Sequence, residues 1–371
     1  MDHKFGYAFP AIRGIQAKRE YYVSMCPLRL IPKIFLFDEE ELVPELRAQR
    51  ILNKSRIPDL ARYVTDNDDS YVFSAITASI DAKVEFESLG EGESDSKIGV
   101  LRVPMDARFI INDGQHRRAA IETAMRERPE LADETIAVVF FLDRGLKRCQ
   151  QMFADLNRHA IRPSRSLGVL YDHRDDRAHL ARLMIMKSRI FRDIVEMERS
   201  TLSQRSRKLF TLSAIYNANA ELLDRIDLKD REKAADKARE YWEAVATQFK
   251  EWEQVREGDI SAGEVRQSFI HSHGVVLQAL GIAGNALLRA RPKSWKNSLK
   301  SLSRIDWSRN NSELWEGRAL TGGRVSKGSN NLRLTANVIK EELGLELSPE
   351  ELRVEEAFMG GSGRGRRRKA S

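Results

Sequence analysis

Apolar and polar positions alternate in short stretches over the first part of the chain and then change period. Residues 20–36 alternate well enough for one or two strands, punctuated by Pro27 and Pro32. Asp38 is placed to cap a short acidic helix over 39–49, and 58–65 reads as another helix. Strands are expected at 71–80 and 98–104, joined by the polar loop 88–97. Phe109-Ile110-Ile111 is a short apolar run that reads as a buried strand, and Asn112-Asp113-Gly114 as a tight turn. From Gln115 onward the pattern is helical, with Ala120, Ile121 and Ala124 available to pack. A strand at 136–142 and a helix from about Leu146 follow. Interleaved strands and helices of this kind specify an α+β domain.

Beyond about residue 165 strand signals nearly vanish. Long amphipathic stretches dominate, at 177–198, 209–226, 232–256 and 264–290. Tyr241, Trp242, Val245, Phe249 and Trp252 fall on one helical face and read as core. The expected organisation is an α+β domain over 1–164, a mostly α-helical domain over 165–355, and a disordered basic tail over 356–371.

Composition narrows the class. The chain has 371 residues, enough for two domains with separate cores, and 42% of them are hydrophobic. No apolar run approaches a membrane span, and no signal peptide is visible, so a cytoplasmic location is expected. Two cysteines, Cys26 and Cys149, cannot build a disulfide framework. Arg29 near Cys26 would favour a sensor thiolate, but a small buried apolar role is the preferred reading; Cys149 is assigned none. His271 and His273 are two apart and do not share a helical face, so no metal site is expected there; His173 and His179 read as surface or capping residues.

Charge is unevenly spread. The net charge is +7, but the last twelve residues hold five basic side chains and no acid. Within the body, 158–208 carries 13 basic against 6 acidic residues, and 286–340 carries 12 against 3. Clustered positive segments are the footprint expected of a phosphate-backbone binder. The DNA-contact candidates are Arg205, Arg207 and Lys208, which precede an amphipathic helix, and Arg318, Arg324 and Lys327 in a Gly-rich stretch with Gly317, Gly322, Gly323 and Gly328. Arg366, Arg367 and Arg368 in the tail would add non-specific affinity. Neither internal segment reads as a helix-turn-helix.

The turn at 112–118 carries the other candidate chemistry. A strand that turns through glycine into a helix leaves the first helical N–H groups unpaired and attractive to anions. Gln115, His116, Arg117 and Arg118 stand at that end, as hydrogen-bond donors and phosphate clamps.

Asp113-Gly114-Gln115-His116-Arg117 followed by Arg118-Ala119-Ala120-Ile121 resembles the signature of DGQHR-domain proteins, in particular the DndB family of DNA phosphorothioation gene clusters. Residues 49–56 with Tyr63 are similar to that family's N-terminal block, and 71–80 to the strand after it. Residues 153–163 are similar to its second motif, and 195–212 continue the match. The resemblance implies a first domain like the ParB and sulfiredoxin N-terminal domain. It also implies a DNA-binding repressor acting on the promoter of its own operon.

On the same resemblance the second motif, with Asp155, Asn157, Arg158 and His159, lies near the turn. The two would line one phosphate- or nucleotide-binding cleft made of Asp113, Gly114, Gln115, His116, Arg117, Asp155, Asn157 and Arg158. Asp113 and Asp155 would hold Mg²⁺ or orient Arg117, and His116 and His159 would carry protons. The alternative function is therefore a nucleotide hydrolase, an ATPase or GTPase coupled to DNA nicking, with Asp113, His116 and Asn157 as catalytic candidates. No Walker A loop is present. Expected partners are double-stranded DNA and other sulfur-modification proteins; a homodimer would suit a regulator, although no heptad pattern argues for one.

Overall fold

The computed structural model describes residues 6–35, 54–142, 151–152, 155–156, 163–225 and 230–367, of which 54 and 361–367 by backbone alone. The chain divides into two compact units, Met1–Ile161 and Arg162–Ser371. Each has its own apolar core. The class is α+β.

The first unit is built on seven strands: β1 Gly6–Gln16, β2 Arg19–Pro27, β3 Ile76–Asp81, β4 Glu85–Ser88, β5 Ile98–Pro104, β6 Arg108–Asp113 and β7 Thr135–Leu142. Their order across the sheet is β4-β5-β1-β2-β7-β3-β6. All neighbours are antiparallel except β3 and β7, which run parallel. Among its described residues the helices are α1 Ile31–Ile34, α2 Ile57–Thr65 and α3 Gln115–Glu127. Alternation along the strands turns Phe9, Tyr22, Ala78, Leu101, Val138 and Phe140 into the core, where Ile31, Val64, Ile121 and Ala124 join them. That apolar seam fixes the register of β6, and so the place where its C-terminal turn emerges.

Several elements depart from the sequence reading. Residues 28–34 are a 3₁₀ turn and α1, not a second strand; Pro32 lies in the first turn of α1, where its missing N–H is no loss. The strand expected at 71–80 begins only at Ile76; before it Tyr71 packs edge-on against Phe73, and Phe73 packs at a tilt against Tyr63. Strands β1 and β4 were not expected at all. The helices expected over 39–49 and from Leu146 begin outside the described residues.

The second unit is helical: α4 Arg165–Tyr171, α5 Asp176–Lys187, α6 Leu212–Leu222, α7 Arg231–Ala246, α8 Lys250–Glu257, α9 Ala262–Ser268, α10 Gly274–Ala290, α11 Ser329–Glu342 and α12 Pro349–Arg367. Tyr241, Trp242, Val245, Phe249 and Trp252 are all buried, as core. Helix α10 is central. Its Gly281 and Gly284 admit the backbone of Ala218 on α6 and the ring of Tyr241, which an added Cβ would meet at 2.3 and 2.4 Å. Two short strand pairs complete the unit: β8 Val195–Glu196 parallel to β9 Phe210–Thr211, and the hairpin β10 Leu320–Thr321 with β11 Arg324–Val325. The backbone of helix α12 is helical to Arg367, and Phe358 packs under the guanidinium of Arg318. Among the described residues no helix is long and apolar enough to cross a membrane.

Candidate functional site

Strand β6 passes into α3 through Gly114, the helix N-cap, at φ +112°. A side chain is excluded there twice over. The dihedral is one L-residues rarely adopt, and a Cβ would lie 3.1 Å from both Arg117 Nη2 and Ile76 Cγ1. The strand–turn–helix read from the sequence is therefore what forms.

The polar groups of the turn mostly face one another and the fold. Arg117 Nη2 donates to Asp113 Oδ2 at 2.7 Å and to the Ala75 carbonyl at 3.1 Å, tying the ends of β6 and α3 to the approach to β3. Arg118 points inward: its Nε and Nη2 donate to the Phe35 and Pro32 carbonyls at 3.0 and 3.2 Å, and its Nη1 meets Glu122 at 2.5 Å. It thus satisfies carbonyls at the end of α1. Gln115 Nε2 reaches back to the Ile111 carbonyl at 3.2 Å. Asp113 stays half-exposed, whereas Arg117 is largely covered. Burial, with the nearby charges of Arg56 and Arg117, pushes the His116 pKa below the usual imidazole value against the pull of Asp113.

Just inside the turn, Asn112 is fully buried. Its Nδ2 donates to Ser79 Oγ at 2.7 Å and approaches Met152 Sδ at 3.1 Å. Among the described residues, Asn112 Oδ1 and Arg117 Nε are buried without hydrogen-bond partners. Asp113, Gly114, Gln115, His116 and Arg117 thus share one turn. Asp155 is exposed and accepts from Gln151 Nε2 at 2.7 Å, while Asn157 and Arg158 lie outside the described residues. Cys26 is buried in the sheet core, which pushes its thiol pKa up to about 11.

The basic candidates divide by what they touch. Arg205 and Arg207 are exposed, and among the described residues no carboxylate is in ion-pair range of either. Lys208 is half-buried and donates to the Asp193 carbonyl at 2.7 Å. Arg324 and Lys327 are exposed in and after the hairpin, likewise without an acidic partner among the described residues. Arg318 is different. Its Nη1 and Nη2 clamp Glu355 at 2.7 and 2.8 Å, and it sits 4.8 Å over the Phe358 ring. Its charge is answered inside the fold, so it does not join the exposed cations. The backbone of Arg366 and Arg367 is helical, and Arg368 lies outside the described residues.

Two residues of consequence escaped the sequence reading, Arg266 and Arg309. Arg266 Nη2 donates to the Ser203 carbonyl at 2.7 Å and to that of Gln204 at 3.4 Å. Arg309 Nη2 donates to the Gly323 carbonyl at 3.1 Å. Their partners lie far off in sequence, so no local signal marks them. His271 and His273 diverge: His271 Nδ1 accepts from Trp252 Nε1 at 3.1 Å, whereas His273 Nε2 donates to the Arg266 carbonyl at 2.9 Å.

No curated protein and no solved structure matches the chain. A family model described as DndB, DNA-sulfur modification-associated, matches residues 9–346 and so extends through both units. With a match across most of its length, the chain belongs to the DndB family of proteins associated with DNA sulfur modification.

Proposed function

We propose that this protein is a DNA-binding regulator that represses a DNA phosphorothioation gene cluster by occupying the cluster's own promoter. The observation that carries the reading is the set of exposed cations Arg205, Arg207, Arg324 and Lys327, with no carboxylate in ion-pair range among the described residues, in a family tied to DNA sulfur modification. Elsewhere in the same unit arginines such as Arg189, Arg256 and Arg318 face carboxylates. Cations left facing water are free to replace the counterions of a phosphate backbone, each contact steepening the salt dependence of binding by about 0.9 in the log–log slope.

Repression by occupancy requires no bond to be made or broken. The turn at Gly114 belongs to this reading as an ordered feature of the first unit. Asp113 and Arg117 answer each other there, which weakens the case for nucleotide hydrolysis. A homodimer would place two copies on a two-fold operator. The test is a reporter driven by the cluster's promoter in cells with and without the protein. Repression by the wild type and its loss in the Arg205→Ala/Arg207→Ala variant, at equal protein level, supports the reading. Equal reporter output with and without the wild type overturns it.

A further inference from the structure

The segment between β8 and β9 is irregular, yet it is held from behind at several points. Ser200 Oγ accepts from the Ser166 N–H at 2.8 Å and donates to Ser166 Oγ at 3.3 Å. The Arg266 guanidinium, on α9, donates to the carbonyls of Ser203, Gln204 and Lys208. Gly263 on the same helix lets the loop come close, since a Cβ there would lie 2.3 Å from the Gln204 carbonyl. One half-buried guanidinium therefore gathers three loop carbonyls, while Arg205 and Arg207, two residues apart, stay exposed.

The same end of α9 supports the hairpin. The Arg309 N–H donates to the Ser268 carbonyl at 2.8 Å, and Phe269 bridges to Ser308. The Arg309 side chain then reaches the Gly323 carbonyl. Gly322 and Gly323 have φ of +59° and +70°, as a two-residue primed turn requires, and the Glu316 carboxylate accepts from both their N–H groups. His273, bonded to the Arg266 carbonyl, also feels the charge of Arg309. Loop and hairpin thus hang on residues 266 and 268, about 3 Å apart along one helix axis.

We infer that the loop 199–209 and the hairpin at 320–325 form one continuous face for the sugar-phosphate backbone of a DNA duplex, with Arg266 as the positioning residue that keeps the loop in its binding shape. The contacts are Arg205, Arg207, Arg324 and Lys327. This rests on the DNA-binding reading above and adds where the duplex lies and what prepares the surface. Preorganisation matters because a loop that must be ordered on binding subtracts that entropy from affinity.

The experiment is fluorescence anisotropy of a labelled 30-base-pair duplex with the full chain across a salt series. Arg205→Ala/Arg207→Ala and Arg324→Ala/Lys327→Ala should each lower the log–log salt slope by about 1.8, two phosphates' worth, in a complex of one duplex per chain. Arg266→Gln should weaken binding several-fold with the slope retained, and should speed hydrogen exchange at 200–208. A wild type that binds while either surface pair leaves slope and affinity unchanged overturns the shared face and leaves DNA binding standing. Unchanged affinity in folded Arg266→Gln overturns its positioning role; if that variant does not fold, the two surface pairs decide the face alone. A wild type that fails to bind duplex at low salt overturns both this inference and the reading beneath it.

Discussion

Removing Arg318 should damage the fold and spare DNA contact, the reverse of what its basic neighbourhood in the sequence suggests. The side chains of Arg318 and Glu355 are only 12% and 14% exposed. Two parallel hydrogen bonds of 2.7 and 2.8 Å join them, a third of 3.0 Å runs from Arg318 to the Leu334 carbonyl, and Phe358 lies beneath. In Arg318→Ala, Glu355 keeps Asn337 Nδ2 at 3.1 Å as its remaining side-chain donor. Breaking a buried pair on one side costs about 3–5 kcal/mol, because the other charge is stranded; slight water access puts this pair near the lower end, about 3 kcal/mol.

All five tryptophans, at 242, 252, 295, 307 and 315, belong to the second unit, so intrinsic fluorescence follows that unit selectively. With a urea m-value of about 2 kcal/mol/M, the midpoint should fall by about 1.5 M. Arg318→Met with Glu355→Leu should recover most of the loss, since apolar replacement of both partners removes the stranded charge. The salt slope of DNA binding by folded Arg318→Ala should match wild type. A midpoint within about 0.5 M of wild type, together with a slope lower by about 0.9, would refute the reasoning and return Arg318 to the phosphate contacts.

Three further outcomes follow from the geometry. Gly114→Ala forces a Cβ onto Arg117 and Ile76 at a positive φ and should cost about 2 kcal/mol in urea unfolding followed by far-UV circular dichroism, with an unchanged midpoint counting against the tight turn. Burial pushes the His273 pKa down to about 4, below the unfolded value near 6.5, so the unfolded chain takes the proton first. Stability of the second unit should therefore be intact above pH 6.5 and decline by about 3 kcal/mol as pH falls through that window, with a shallower decline in His273→Gln; parallel profiles would contradict the assignment. Cys26, buried and with its thiol pKa raised to about 11, should resist iodoacetamide at pH 7.5 until the protein is denatured, and rapid native labelling in a peptide map would restore the sensor-thiolate reading.

What the sequence revealed depended on how local the cause was. The aromatic stripe from Tyr241 to Trp252 and the turn at Gly114 are encoded within a few residues, by helical period and by glycine's dihedral freedom, and both were legible. Strand β1 was not, because apolar residues lie on both its faces: Phe9 and Ala11 point into the core, while Ala8 and Ile12 face the other way and are exposed. Pro32 was read as strand punctuation, although proline serves equally in a first helical turn. Charges were the hardest to interpret. Arg318 lies 37 residues from Glu355, and Arg266 lies 58 from Lys208, so only the folded chain separates a cation engaged inside the protein from one offered to a partner.

The central claim, that the protein recognises the promoter of its own modification cluster, is tested most directly by anisotropy with the full chain. Duplex from upstream of that cluster would be compared with a scrambled duplex of equal length, from low salt to above 150 mM. Specific regulation predicts a large gap in affinity, about a thousandfold, that persists near 150 mM while both curves weaken with salt. Superimposed, steeply salt-dependent curves would mean attraction to phosphate without sequence recognition, and would contradict the account.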